Sequence, residues 1–296
     1  MISRPAAGIK SVQGAEAVAK AGLEYVAQEV KSFKAAGRLA LLAKLSRLRL
    51  VLESVRPTEP CMKNAIDYVF RHSSGDDIRE LKESLLANVR FVAGSLRSSE
   101  EMVWEIGEKK ISNGMVVFTH CHSSSVLGVL RLAKKNGKKF TVHNTETRPN
   151  FQGRKTAIEL ASLGIRVAHF VDSAARLALK KADIMLIGCD AFTSEAKIIN
   201  KIGSELFCEA ASKMQVPVYV CTTTWKYDPK TLFGYEELIE ERRASEVWQN
   251  PPKNVIVDNH AFEKVDPRLV TGVITELGVF SPDALIEELR RCAWLS

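Results

Sequence analysis

The chain has 296 residues, a formal net charge of +7, 46% apolar residues and 26% charged residues. This is the composition of an ordinary globular protein, long enough for one large core or two smaller ones, and it shows no internal repeat and no low-complexity segment. The positive balance suits a solvated basic surface, or attraction to phosphorylated small molecules or nucleic acid. Basic runs such as Lys134 to Lys139 carry no interleaved aromatics, which counts against nucleic acid as a partner. Cys61, Cys121, Cys189, Cys208, Cys221 and Cys292 include no CxxC pair, so neither a disulfide framework nor a zinc finger is expected. The first residues, Met1-Ile-Ser-Arg-Pro5, lack the apolar core of a signal peptide, and no apolar run approaches the roughly 18 residues of a membrane span. A soluble protein of the reducing cytoplasm, with no membrane partner, is expected.

Residues 1 to about 110 read as helical, with no strand-like alternation. Gly14 to Phe33 spaces Ala15, Val18, Leu23, Val26 and Val30 near the helical period. Ala36 to Val55 is a second amphipathic run, stopped at Arg56-Pro57 because proline disfavours a helical residue before it. Glu59 to His72 is a third helix, broken by Ser73-Ser-Gly75, and Asp76 to Lys110 a long fourth, with a kink expected near Gly94-Ser95. After Asn113-Gly114 short apolar strands alternate with helices. Strands are predicted at 116–118, 140–142, 167–171, 184–187 and 216–220; helices at 125–135, 154–163, 173–181 and 203–214. Trp225 to Lys253 is a longer irregular or partly helical insert. Val255 to Val257 and Val270 to Thr275 read as late strands, and Ser281-Pro282 opens a last helix. Alternation of this kind predicts an α/β protein: an N-terminal helical domain, 1–110, then a doubly wound parallel sheet, 111–296.

In such a sheet ligands sit outside the carboxyl ends of the strands, and that is where the reactive side chains fall. GxGxxG and GxxxxGK[ST] are both absent, so neither a dinucleotide fingerprint nor a P-loop is present. Cys121 follows the strand ending Thr119-His120. At a helix N-terminus a thiol meets the positive end of the dipole and ionises more readily; a buried structural cysteine is the alternative. His120 and His122 flank it, but no second ligand cluster has metal spacing, so no metal is expected. Ser123, Ser124 and Ser125 offer hydroxyl and backbone N–H groups to a phosphate, or simply cap the helix. Arg148 lies on the loop after the next strand, where a guanidinium grips phosphate or faces solvent, and Gln152 stands with Gly153 at the start of the following helix. Asp190 ends another strand, as a general acid or base or as a cap. Asn200, Lys201 and Lys226 add an amide and two cations at the same sheet edge.

Taken together, Thr119-His-Cys121, Thr145-Glu-Thr-Arg-Pro149, Gln152-Gly153, Val171-Asp-Ser-Ala-Ala175, Gly188-Cys-Asp190, Asn200-Lys-Ile-Gly203 and Thr275-Glu-Leu-Gly278 resemble one family. It contains the archaeal ribose-1,5-bisphosphate isomerases, the methylthioribose-1-phosphate isomerases and the alpha, beta and delta regulatory subunits of initiation factor 2B. The resemblance covers nearly the whole chain and implies a Rossmann-like second domain. It implies that Cys121 is the base at C2 of a sugar 1-phosphate and Asp190 the acid at its ring oxygen. No redox cofactor is implied, because aldose and ketose share one oxidation level. Ser123 to Ser125, Asn200, Lys201, Lys226 and Arg56 match substrate-holding positions. The reaction implied is ribose 1,5-bisphosphate to ribulose 1,5-bisphosphate, in nucleotide salvage; the alternatives are isomerisation of methylthioribose 1-phosphate, or a non-catalytic regulator of translation initiation with initiation factor 2 as partner. A homo-oligomer, dimer or hexamer, is also implied.

One stretch departs from the isomerase pattern. Where those enzymes carry Arg-Gly-Ala-(Gly or Pro), this chain reads Gln13-Gly14-Ala15-Glu16. The arginine is gone and a carboxylate stands beside the expected phosphate site, which repels a dianion unless Glu16 turns away. The departure favours the regulatory branch; retention of both Cys121 and Asp190 favours the enzyme.

Overall fold

The computed structural model describes residues 9, 12, 14–34, 37–55, 59–236 and 239–291. The chain divides into two compact units, 1–98 with 225–227, and 99–224 with 228–296.

The first unit is helical. It contains α1 (Ala15–Ser32), α2 (Arg38–Val55), α3 (Pro60–Arg71) and the larger part of α4 (Ile78–Glu108). The expected apolar stripe of α1 is its buried face, with Val18, Leu23, Val26 and Val30 removed from water. α4 runs as one helix through Gly94. The sequence reading puts the domain boundary at 110. The compact units instead divide within α4, because Val103 and Trp104 near its end pack into the core of the second unit with Val117, Val126 and Leu130.

The second unit is built on a seven-stranded sheet: β1 (Val116–Thr119), β2 (Thr141–Thr145), β3 (Arg166–Phe170), β4 (Ile184–Ile187), β7 (Val218–Cys221), β9 (Gly272–Thr275) and β10 (Gly278–Phe280). Their order is β10-β9-β7-β4-β1-β2-β3, parallel except for β10. The helices are α5 (Ser124–Lys135), α6 (Gln152–Ser162), α7 (Ala175–Leu179), α8 (Ser204–Lys213) and α9 (Pro282–Arg291). β1 and β4 are hydrogen-bonded neighbours although two strands and three helices separate them along the chain, so the strand order reverses between them. That reversal opens a crevice at their carboxyl ends, the ligand position of doubly wound sheets.

Other features of the second unit differ from the sequence reading, among them the antiparallel β10. A second, antiparallel sheet of β5 (Ala191–Phe192), β6 (Ile198–Lys201) and β8 (Phe262–Val265) has its own small core of Ala191, Ile199, Ala261 and Phe262. Val255 to Val257 is not a strand: Ile256 is 96% exposed and the segment has no ladder partner among the described residues. β-branched residues favour strands only where a pleated, half-buried surface receives them.

Candidate active site

Cys121 lies just past β1 with φ at 69°, a left-handed backbone that costs a non-glycine residue on the order of 1 kcal/mol. Neighbouring loops hold it there. Its N–H donates to Thr147 Oγ1 at 3.0 Å and its carbonyl accepts from Thr156 Oγ1 at 2.8 Å. Thr147 is left-handed too, at 62°, and Asp172 fixes its loop by accepting from the N–H groups of Thr147 (2.9 Å) and Arg148 (2.7 Å). The loops after β1, β2 and β3 are thus tied in sequence, Asp172 to Thr147 to Cys121.

The thiol donates to Gln152 Oε1 at 3.6 Å. Burial pushes it up to about 11; Lys201 opposes that, the Asp190 carboxylate adds to it, and the His122 N–H and Arg242 pull it back down. Here the structure corrects the expectation of a ready thiolate. α5 begins at Ser124 with Ser123 as its cap, so Cys121 stands ahead of the first turn, where the helix field fades, and desolvation prevails.

His120 is not poised for chemistry. Its Nε2 donates to Ile202 O at 3.0 Å, so Nδ1 accepts from Thr145 Oγ1 at 2.6 Å, and its ring meets Phe207 edge-on. Burial lowers its pKa to about 4, so it is a neutral structural histidine. His122 turns to Thr156 Oγ1 on α6, at 3.1 Å, and burial lowers its pKa as well. The two rings serve different partners, and among the described residues no three His, Cys, Asp or Glu side chains are grouped as a metal ion requires.

Of the three serines, Ser123 caps α5 through Val126 N, Ser124 is exposed in its first turn, and Ser125 is fully buried, donating to Glu100 Oε1 at 3.0 Å. The Ser125 hydroxyl is therefore committed to the core, and what the turn retains for a phosphate is its backbone N–H groups and Ser124. Asp190, just past β4, is half-buried; its N–H donates to Ile199 O at 2.8 Å, which ties the β4 loop to β6. Gly188 marks how closely these loops approach, since a Cβ there would fall 2.6 Å from Ser123 Oγ and 3.9 Å from Asn200 Oδ1. Asn200 is buried, its amide donating to Ser204 Oγ at 2.9 Å. Lys201 is buried with its ammonium 4.4 Å from the centre of the Phe262 ring. Gln152 opens α6, while Arg148 is exposed, stacks on Phe151 and donates to Val247 O at 3.3 Å. The second unit thus brings Cys121, Asp190, Ser123, Gln152, Asn200 and Lys201 to one sheet edge.

The other expected residues belong to the helical unit. Gly14, at φ 95°, is the N-cap of α1, Ala15 is buried in its first turn, and Glu16 forms an ion pair with Lys20 that offsets the charge expected to repel phosphate. Lys226 is buried in a turn whose neighbours Trp225 and Tyr227 both accept from Asn64 Nδ2, at 2.9 and 2.7 Å. Gln13 and Arg56 lie outside the described residues. Sequence reasoning missed Asp172 and Thr147 as supports, although both stand in quoted motifs. It also missed Arg242, whose insert has no periodicity to mark it.

The profile of the initiation factor 2 subunit family matches residues 11–282. The chain belongs to this family. It is 38% identical over 237 residues to the ribose 1,5-bisphosphate isomerase of Archaeoglobus fulgidus, spanning 78% of this chain and 74% of that one. Against the methylthioribose-1-phosphate isomerase of Heliobacterium modesticaldum it is 32% identical, spanning 98% and 86%. Among solved structures, the translation initiation factor eIF-2B of Pyrococcus horikoshii OT3 superposes with a TM-score of 0.83 at 26% identity, covering 95% of this chain and 97% of that one.

Proposed function

We propose that this family member is an aldose–ketose isomerase that converts ribose 1,5-bisphosphate to ribulose 1,5-bisphosphate in the salvage of nucleotides. The observation that carries the reading is that Cys121 and Asp190 leave the carboxyl ends of the neighbouring strands β1 and β4, with buried Lys201 on the adjoining β6. Similarity to several archaeal ribose 1,5-bisphosphate isomerases, at 31–38% identity over most of the chain, supports it.

At rest the pair holds one proton, on sulfur, because burial and the neighbouring carboxylate both disfavour a thiolate. Transfer of that proton to Asp190 leaves a thiolate and a carboxylic acid. The acid protonates the ring oxygen as the furanose opens, and the thiolate takes the proton from C2. The thiol then returns the proton to C1 while Asp190 takes one from the C2 hydroxyl, forming the ketone, and passage of that proton back to sulfur restores the resting pair. The sugar gains and loses equal numbers of protons and no electrons leave it, so the chemistry calls for no redox partner. General acid–base steps of this kind contribute about 10²- to 10⁴-fold each.

The test is turnover of ribose 1,5-bisphosphate and of methylthioribose 1-phosphate by purified protein, with Cys121→Ser alongside. Turnover of the bisphosphate, abolished in the variant, supports the assignment; turnover of the methylthio sugar alone moves it to the other isomerase; turnover of neither ends the enzyme reading. Glu16 and the eIF-2B likeness favour a second reading, a regulator of initiation factor 2, which retention of that factor on immobilised protein would support. A cytoplasmic homo-oligomer belongs to the same proposal, and gel filtration with light scattering measures its size.

A further inference from the structure

Beside Cys121 the second unit has a narrow hollow lined by Arg148, Gln152, Lys201, Ile202, Arg242 and His260, among others. Arg242 reaches it through a short ribbon. Arg242 N donates to Asn259 O at 2.8 Å, Ala261 N donates to Glu240 O at 2.9 Å, and Glu241 bridges His260 antiparallel. Residues 259–261 lead directly into β8, whose ladder with β6 pairs Phe262 with Lys201. Alternate residues of a strand share a face, so Glu240 and Arg242 stand together and Glu241 opposite.

Two cations in this hollow have donors that the protein does not satisfy. Among the described residues the Arg242 guanidinium makes one ion pair, Nε to Glu240 Oε1 at 3.3 Å, and no hydrogen bond; its Nε is buried without an acceptor. The Lys201 ammonium, on a residue 6% exposed, lies against the Phe262 ring and makes no hydrogen bond among the described residues. A buried ammonium left without an acceptor is costly, and a dianionic acceptor removes that cost for Lys201 while also meeting the terminal nitrogens of the half-buried Arg242 fork. A planar guanidinium fork next to a compact ammonium is the donor set that phosphate oxygens accept. Gln152, which accepts from the Cys121 thiol at 3.6 Å, lines the same hollow and places it beside the reacting sulfur.

We propose that Arg242 is a substrate-holding residue that, together with Lys201, clasps a phosphate group of the sugar. Glu240 steadies the Nε edge of the guanidinium and leaves its two terminal nitrogens for the ligand. The proposal rests on the isomerase reading for the identity of the sugar, not for the phosphate itself.

The test uses full-length Cys121→Ser protein, expected to bind substrate without converting it, titrated calorimetrically with ribose 1,5-bisphosphate and with inorganic phosphate. Adding Arg242→Met is expected to weaken the bisphosphate about 10- to 100-fold and to flatten the salt dependence of its binding. Arg242→Lys keeps the charge beside Glu240 but loses the fork, and is expected to fall between the two. Melting midpoints without ligand identify any variant that fails to fold, in which case Arg242→Lys carries the measurement. With Cys121 intact, Arg242→Met should raise KM and leave kcat within about threefold. Binding within twofold of the parent in the folded variants overturns the clasp while leaving isomerase activity standing. If no sugar phosphate is turned over but phosphate still binds in an Arg242-dependent way, the clasp survives and the isomerase reading falls.

Discussion

Cys121 and Asp190 leave the carboxyl ends of β1 and β4, the two neighbouring parallel strands between which the sheet order reverses, and the Asp190 carboxylate helps hold the proton on the Cys121 sulfur. Residues far apart in the chain meet because the crossover through β2 and β3 returns β4 to the open edge of β1.

Replacing either member should abolish turnover without unfolding the protein. Cys121→Ser and Asp190→Asn are each expected to lower kcat by about 10³-fold or more, with melting midpoints within a few degrees of the parent. Steady-state kinetics and calorimetric melts check this; a variant that keeps a tenth of the parent rate removes that residue from the mechanism.

The thiol should be slow to alkylate at neutral pH, its rate rising with pH toward about 11. Lys201 lowers and Asp190 raises the thiol value, so Lys201→Met should move the midpoint up and Asp190→Asn should move it down. The folded value exceeds the ordinary 9.0, so this group's contribution to stability is complete below 9.0 and declines as pH rises through about 11. Peptide mapping after timed iodoacetamide exposure reads the midpoints.

His120 sets an acid limit on the fold. Its folded value near 4 lies below the ordinary 6.5, so its contribution is intact above 6.5 and is lost as pH falls toward 4. The loss is on the order of 2–3 kcal/mol. Urea unfolding at stepped pH should show it, and a His120→Gln variant should show a flatter profile over the same interval.

Gly153 has no room for a side chain: a Cβ would fall 1.7 Å from Thr145 O. Gly153→Ala is expected to push α6 off β2, cost about 3 kcal/mol or more, and displace Gln152 from the Cys121 thiol. Chemical denaturation measures the first effect and the alkylation rate of Cys121 the second.

Ser125→Ala should behave as a core substitution. Removing the donor to Glu100 Oε1 is expected to cost about 1–3 kcal/mol with KM unchanged, whereas Ser124→Pro, at an exposed N–H of the same turn, should raise KM with little loss of stability. A reversed pattern would return Ser125 to the substrate-holding set.

Much of this was legible in the sequence. β1, β4 and β7 are short apolar runs that are largely buried, so they read directly, and the loops at their ends carry the motif residues. Local pattern and family resemblance together led to Cys121 and Asp190. The small antiparallel sheet was not legible: β5 has two residues, and β6 and β8 join across some sixty residues of chain in a register that no local pattern encodes.

The sequence by itself determined which residues are helix, which are central strand and which reactive groups stand at strand ends, because those follow from periodicities of a few residues. Only the tertiary structure decided what those groups are. Burial made Cys121 a thiol rather than a thiolate, Glu100 drew Ser125 into the core, and the β8 ribbon carried Arg242 to the same hollow as Lys201. Desolvation, hydrogen-bond partnership and charge proximity depend on which distant segments surround a side chain, and neighbours along the chain do not specify that.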